Sequence, residues 1–119
     1  MSYSIELKGP PCPTCGHTAE PTLPNPTYAL VHIFDLALAE DDATPDRPRG
    51  LRLLSGHDGA STVAQLREAR SRLTDPVLEP RFRALESPNR WGTLEGARRV
   101  IDLLLAAAEK YPAHVWSIR

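Results

Sequence analysis

The stretch that most constrains this chain is residues 94–110, LEGARRVIDLLLAAAEK. Leu94, Ala97, Val100, Ile101, Leu104, Leu105 and Ala108 recur with the 3.6-residue period of an amphipathic helix. Thr93 stands where an N-cap is needed, and Pro112 ends the pattern. Such a helix is stable only when its apolar stripe is covered, so the other segments are read by what they can lay against it.

Residues 25–40 offer one cover. Asn25 reads as an N-cap with Pro26 at the first helical position, where its missing N–H costs nothing. Leu30, Ile33, Phe34, Ala37 and Leu38 fall on one stripe; Tyr28, His32 and Asp35 fall on another side. A second helix is expected from Thr62, which stands at capping-box spacing from Gln65, with Val63, Leu66, Ala69 and Leu73 as its buried face. A third is kept short by Pro80 and anchored by Phe82 and Leu85. Between the first two lies a long connection, 41–58, in which GLRLLSG reads as a docked strand or turn.

The two ends of the chain carry a different period. Tyr3, Ile5 and Leu7 alternate with Ser4 and Glu6, and His114, Trp116 and Ile118 alternate with Val115 and Ser117. Alternation of period two reads as half-buried strand. The expected fold is therefore α+β: a small single domain over 1–119, in which N- and C-terminal strands pair into a small sheet packed by three to four helices. Its parts are an N-terminal strand with a proline-rich loop (1–24), a helical body (25–111) and a closing strand (113–119). Two strands alone are marginal, so helix packing must supply most of the stability.

Composition bounds the function. With 119 residues, 41% hydrophobic and 24% charged, the chain is an ordinary globular domain, and its net charge of −1 argues against electrostatic attraction to nucleic acid. No apolar run approaches the roughly 20 residues of a membrane span, and the first residues lack the pattern of a signal peptide, so the reading is a cytoplasmic protein with no membrane partner. Acids cluster at 35–46 and arginines at 47–72, the pattern of a solvated surface with internal ion pairs.

The proline-rich loop holds both cysteines, in GPPCPTCGHTAE. Cys12 and Cys15, two residues apart and followed by Gly16, have the spacing of a zinc knuckle, which lets two thiolates face one ion. A redox pair would sit at a helix start after a strand, and no helical pattern begins here until residue 26. A turn with reduced, unmetallated thiols is the remaining reading. His17 is near enough to join the knuckle, and His57, in a loop, is a further candidate ligand.

At the other end, SPNRWGT reads as a turn. Trp91 is expected to be buried there, anchoring the turn against the core. Alternatively, exposed N–H groups at this helix start hold an anion, with Asn25, Thr27, Tyr28 and Trp91 lining one polar pocket. Catalytic material is thin: there is no Gly-rich phosphate loop, no G-x-S-x-G and no HExxH, and Asp35 with His32 is the sort of pair helix surfaces carry by chance.

The segment ALESPNRWGTLEGARRVIDLLLAAAEKYPAHVWSI resembles a family of small uncharacterised phage and bacterial proteins. They share an Asn-x-Trp-Gly-x-x-(Glu/Asp)-Gly turn, a long helix, a His/Tyr-Pro pair and a closing strand. Asn89, Trp91, Gly92, Glu95, Gly96, Tyr111 and Pro112 match, while Arg90 replaces a small residue. Asn25, Thr27 and Tyr28 match the family's Asn-x-Thr-(His/Tyr/Ser)-Asn motif, and Ala29 departs from its second Asn. Some members carry a Cys-Pro-x-Cys before that motif. Tyr28 holds a position that is His in some relatives, which makes His32, one turn on, the expected third zinc ligand.

Together these readings lead to a non-enzymatic phage-type or mobile-element accessory protein that binds a host or phage protein and carries a structural zinc on Cys12, Cys15, His32 and His17. A binder of a nucleotide or other small anion between Asn25, Thr27, Tyr28, Trp91 and an unspecified Arg is the second reading. A hydrolase with an open zinc site is the third.

Overall fold

The computed structural model describes residues 2–9, 14, 21–38, 50–89 and 91–119. Strand β1 (Ile5–Lys8) pairs antiparallel with β2 (Val115–Ile118), with Ile5 opposite Ile118 and Leu7 opposite Trp116. The expected pairing of the two ends is thus the observed one, and the molecule is a small α+β domain. The sheet is shored up beyond its two strands. Trp116 N–H donates to His57 O and Gly56 N–H to Trp116 O, both at 2.9 Å, so the free edge of β2 is covered. Before β1, Tyr3 N–H donates to Pro26 O at 2.8 Å. These bonds give a two-stranded sheet the lateral support it lacks by itself.

The described residues form four α-helices: α1 (Val31–Leu38), α2 (Gly59–Leu73), α3 (Glu79–Arg83) and α4 (Leu94–Lys110). The limits of α4 are those the periodicity sets, and the Thr93 hydroxyl accepts the Gly96 N–H at 3.2 Å. Its apolar stripe is buried throughout and packs most extensively on α2. The stripe of α1, Leu30 to Leu38, is buried as its spacing requires. Arg72 Nη1 donates to Ala37 O (2.9 Å) and Arg98 Nε to Leu73 O (2.7 Å), so arginines from neighbouring helices satisfy the terminal carbonyls of α1 and α2.

Three local expectations fail. The first helix is entered by a 3-10 turn, Tyr28–Leu30, whose N-cap is Thr27 rather than Asn25. Helix α2 starts earlier than Thr62: Asp58 is its N-cap and accepts the Ser61 N–H at 2.7 Å. Thr62 lies inside the helix, where its hydroxyl donates to carbonyls of the preceding turn and accepts the Trp116 indole N–H at 2.8 Å. This early start needs Gly59, because a Cβ there would sit 2.6 Å from Tyr111 O. Finally, GLRLL is neither strand nor simple turn but a 3-10 helix, Gly50–Leu54. Gly50 has φ +53°, a left-handed conformation that side chains disfavour, and a Cβ there would strike the Tyr3 hydroxyl.

Candidate functional site

The turn before α4 is built almost entirely from side chains that accept backbone N–H groups. Asn89 Oδ1 accepts from Trp91 N–H (3.1 Å) and also from the Ser87 hydroxyl (2.7 Å). Ser87 Oγ accepts from Gly92 N–H (3.0 Å), and Glu86 Oε2 accepts from Leu94 N–H (2.8 Å). With Thr93 on Gly96, the Leu94, Gly96 and Ala97 N–H groups that open α4 have acceptors within the chain. An external anion at this helix start would have to displace the Glu86 carboxylate, which already exploits the dipole.

Arg83 locks this turn to α3. Its guanidinium reaches Glu95 through both terminal nitrogens, Glu86 at 3.0 Å and Glu79 at 3.2 Å. The forked bond from Arg83 holds the Glu95 carboxyl down to about 2. One arginine thereby ties the start of α3, the end of the α3 connection and the first turn of α4 together.

The indole of Trp91 is excluded from this network. The residue is 73% exposed, so the expectation of a buried anchor is overturned. The reason is packing at the next residue. Gly92 is buried against the backbone of Ala29, and a Cβ at Gly92 would lie 2.6 Å from Ala29 O. The close approach of two backbones leaves no space for a large ring beneath the turn. The tryptophan that fills the core is Trp116, 1% exposed.

The Gly92–Ala29 contact does bring the turn before α4 against the 3-10 turn that opens α1. The contact is made by Ala29, which directly follows Thr27 and Tyr28. Asn25 is exposed; Thr27 is half-buried, and its hydroxyl accepts the Ala29 N–H at 3.3 Å. Tyr28 is half-buried and stacks on Tyr3, with ring centroids 4.6 Å apart. Arg52, from the 3-10 helix 50–54, places its guanidinium 4.8 Å above the Tyr28 ring and 5.9 Å from that of Tyr3. Sequence reasoning called for an arginine here without naming Arg52, since only the fold brings residue 52 over residue 28.

Two polar groups are buried beside this stack. Asp35, assigned by the helical wheel to a polar side, is 5% exposed and accepts the Gly50 N–H at 3.3 Å. Tyr3 is 1% exposed; burial pushes its phenol up to about 12, against the opposing pull of the Leu51 backbone and Arg52.

Of the expected zinc ligands, Cys12, Cys15 and His17 lie outside the described residues. His32 is on α1 with an exposed side chain, and His57 is exposed in the loop before α2. A groove of about 400 Å3 lies elsewhere, between Pro21–Leu23 and the Leu103, Ala107 and Tyr111 side of α4. Among the described residues, no helix is long and apolar enough to cross a membrane.

Comparison with known proteins finds no matching family model, no matching curated protein and no matching solved structure.

Proposed function

We propose that this chain is a non-enzymatic protein-binding module, of the phage-type or mobile-element accessory kind that its motif resemblance implies, with a host or phage protein as partner. The observation that carries the reading is Trp91: a large aromatic, 73% exposed, on a turn whose N–H groups are held by Asn89, Ser87 and Glu86. Exposing an indole forgoes about 1.5–3 kcal/mol of burial, the scale for a large apolar side chain. Tryptophan is also the residue type most enriched among interface hot spots. A turn fixed in advance removes part of the ordering cost of association. The CPTC loop fits the same reading as a structural staple, with zinc held by Cys12 and Cys15 and completed by His32 and His17.

The test is a photo-reactive benzoylphenylalanine at position 91, introduced in producing cells. A discrete adduct with one protein is expected there, and none with the same probe at Val77, which is 81% exposed on the turn before α3. Equal labelling from both positions, or none, overturns the reading. Elemental analysis of protein purified without chelator should find one zinc per chain; less than a tenth of that removes the staple.

A second reading, a binder of a small anion between Asn25, Thr27, Tyr28 and Trp91, is favoured by one observation: the Gly92–Ala29 contact that joins the two turns. It predicts that a nucleoside monophosphate shifts the amide resonances of 25–28 and 91–92.

A further inference from the structure

Resting on the protein-binding reading, we infer that Arg52 is a second contact at the Trp91 end of the molecule, and that the partner presents a carboxylate beside the apolar pocket that takes the indole. Three observations lead there. First, Arg52 is exposed, and its guanidinium is positioned by aromatic stacking on Tyr28 and Tyr3. Its backbone carbonyl accepts the Ser55 N–H, while among the described residues its guanidinium makes no hydrogen bond or ion pair. An arginine held by its flat face keeps its edge donors pointing outward, ready for a forked bond to a carboxylate. Arg83, by contrast, has three carboxylates of its own.

Second, the described acids at this end are engaged internally. Glu86 and Glu95 are bound to Arg83, and Asp35 is buried with the Gly50 N–H. Third, Arg52 and Trp91 are linked by a short rigid path: Arg52 lies over Tyr28, Tyr28 adjoins Ala29, and Ala29 is packed on Gly92. The two residues are thus connected through the Tyr28–Ala29 backbone and the Gly92–Ala29 contact. Trp and Arg, with Tyr, are the residue types enriched among interface hot spots, and an arginine held over aromatic rings loses little freedom on pairing. Charge complementarity then selects an acidic protein surface.

The test is panning of a displayed random dodecapeptide library against the full chain. Enriched peptides are expected to pair an Asp or Glu with a nearby aromatic or aliphatic residue. Arg52→Ala and Trp91→Ala should each weaken the synthesised peptide by about tenfold or more, the scale of a hot-spot truncation. Arg52→Lys should not restore binding, since lysine keeps the charge without the stacked fork. Changing the peptide's own acid to its amide should cause the same loss, which leaves the protein's folding untouched. Peptides that need Trp91 but neither Arg52 nor an acid overturn this inference and leave the protein-binding reading standing. Peptides that ignore Trp91, or a library that yields no enrichment, overturn both.

Discussion

Trp116 and the turn around Trp91 sit at opposite ends of α4 and treat the same side chain in opposite ways. At Trp116 the strand supplies the ring to the core at 1% exposure, and Thr62 of α2 takes its indole N–H at 2.8 Å. At Trp91 the hydrogen bonds go to the backbone, and the ring stands at 73% exposure. In the first region polar groups serve the indole; in the second they serve the turn that carries it. A buried tryptophan with a satisfied N–H contributes to stability. An exposed one on a braced turn adds almost nothing to stability and is free to contact a partner.

The largest expected effect tests the first half of that contrast. Trp116→Ala should cost about 3–5 kcal/mol in a denaturant titration, the usual range for deleting a buried aromatic. A loss near 1 kcal/mol would erase the difference between the two sites. Gly92→Ala comes next. Its new Cβ would meet Ala29 backbone at 2.6 Å, which cannot swing aside as a side chain would. About 1–3 kcal/mol should be lost, the range for overpacking, and amide shifts should spread to 27–30 as well as 89–93. Shifts confined to 89–93 would mean that the two turns are not joined there.

Acid should loosen the brace around Trp91. The Glu95 carboxyl is held at about 2, below its ordinary 4.5, by Arg83. A depressed carboxylate stabilises the fold above its unfolded value, and that contribution fades as pH falls from about 4.5 toward 2. The melting-temperature difference between the native chain and Glu95→Gln should therefore be full at pH 6 and reduced to a small fraction by pH 2. A difference that persists undiminished at pH 2 would remove Arg83 as its cause. Trp91→Ala has the smallest expected effect on stability, under about 0.5 kcal/mol, as for a surface substitution. A loss of several kcal/mol would return Trp91 to the core.

The parts of this molecule that the sequence made legible are those ruled by local period. The stripe of α4, the stripe of α1 and the alternation at both termini specify their elements because every burial choice repeats at fixed spacing. What escaped depends on partners far along the chain. Thr62 and Gln65 have capping-box spacing, yet Thr62 serves Trp116 inside the helix, and the working cap is Asp58, in a segment that reads equally well as loop. Asp35 lies on the polar side of a helical wheel, yet Gly50 folds over it. Trp91 precedes the periodic region, so no spacing argument decides its environment; the decisive contact, Gly92 on Ala29, is made across the chain. The candidate site was half legible for the same reason: its motifs were recognisable as segments, while Arg52 reaches Tyr28 only through the fold.

The central claim is that Trp91 faces solvent from a folded turn, and acrylamide quenching of a single-tryptophan protein tests it most directly. In the Trp116→Phe variant, with folding verified by circular dichroism, Trp91 is the sole indole. The account predicts red-shifted emission and a quenching constant close to that of the fully denatured variant. Blue-shifted emission with a quenching constant several-fold below the denatured value would contradict it.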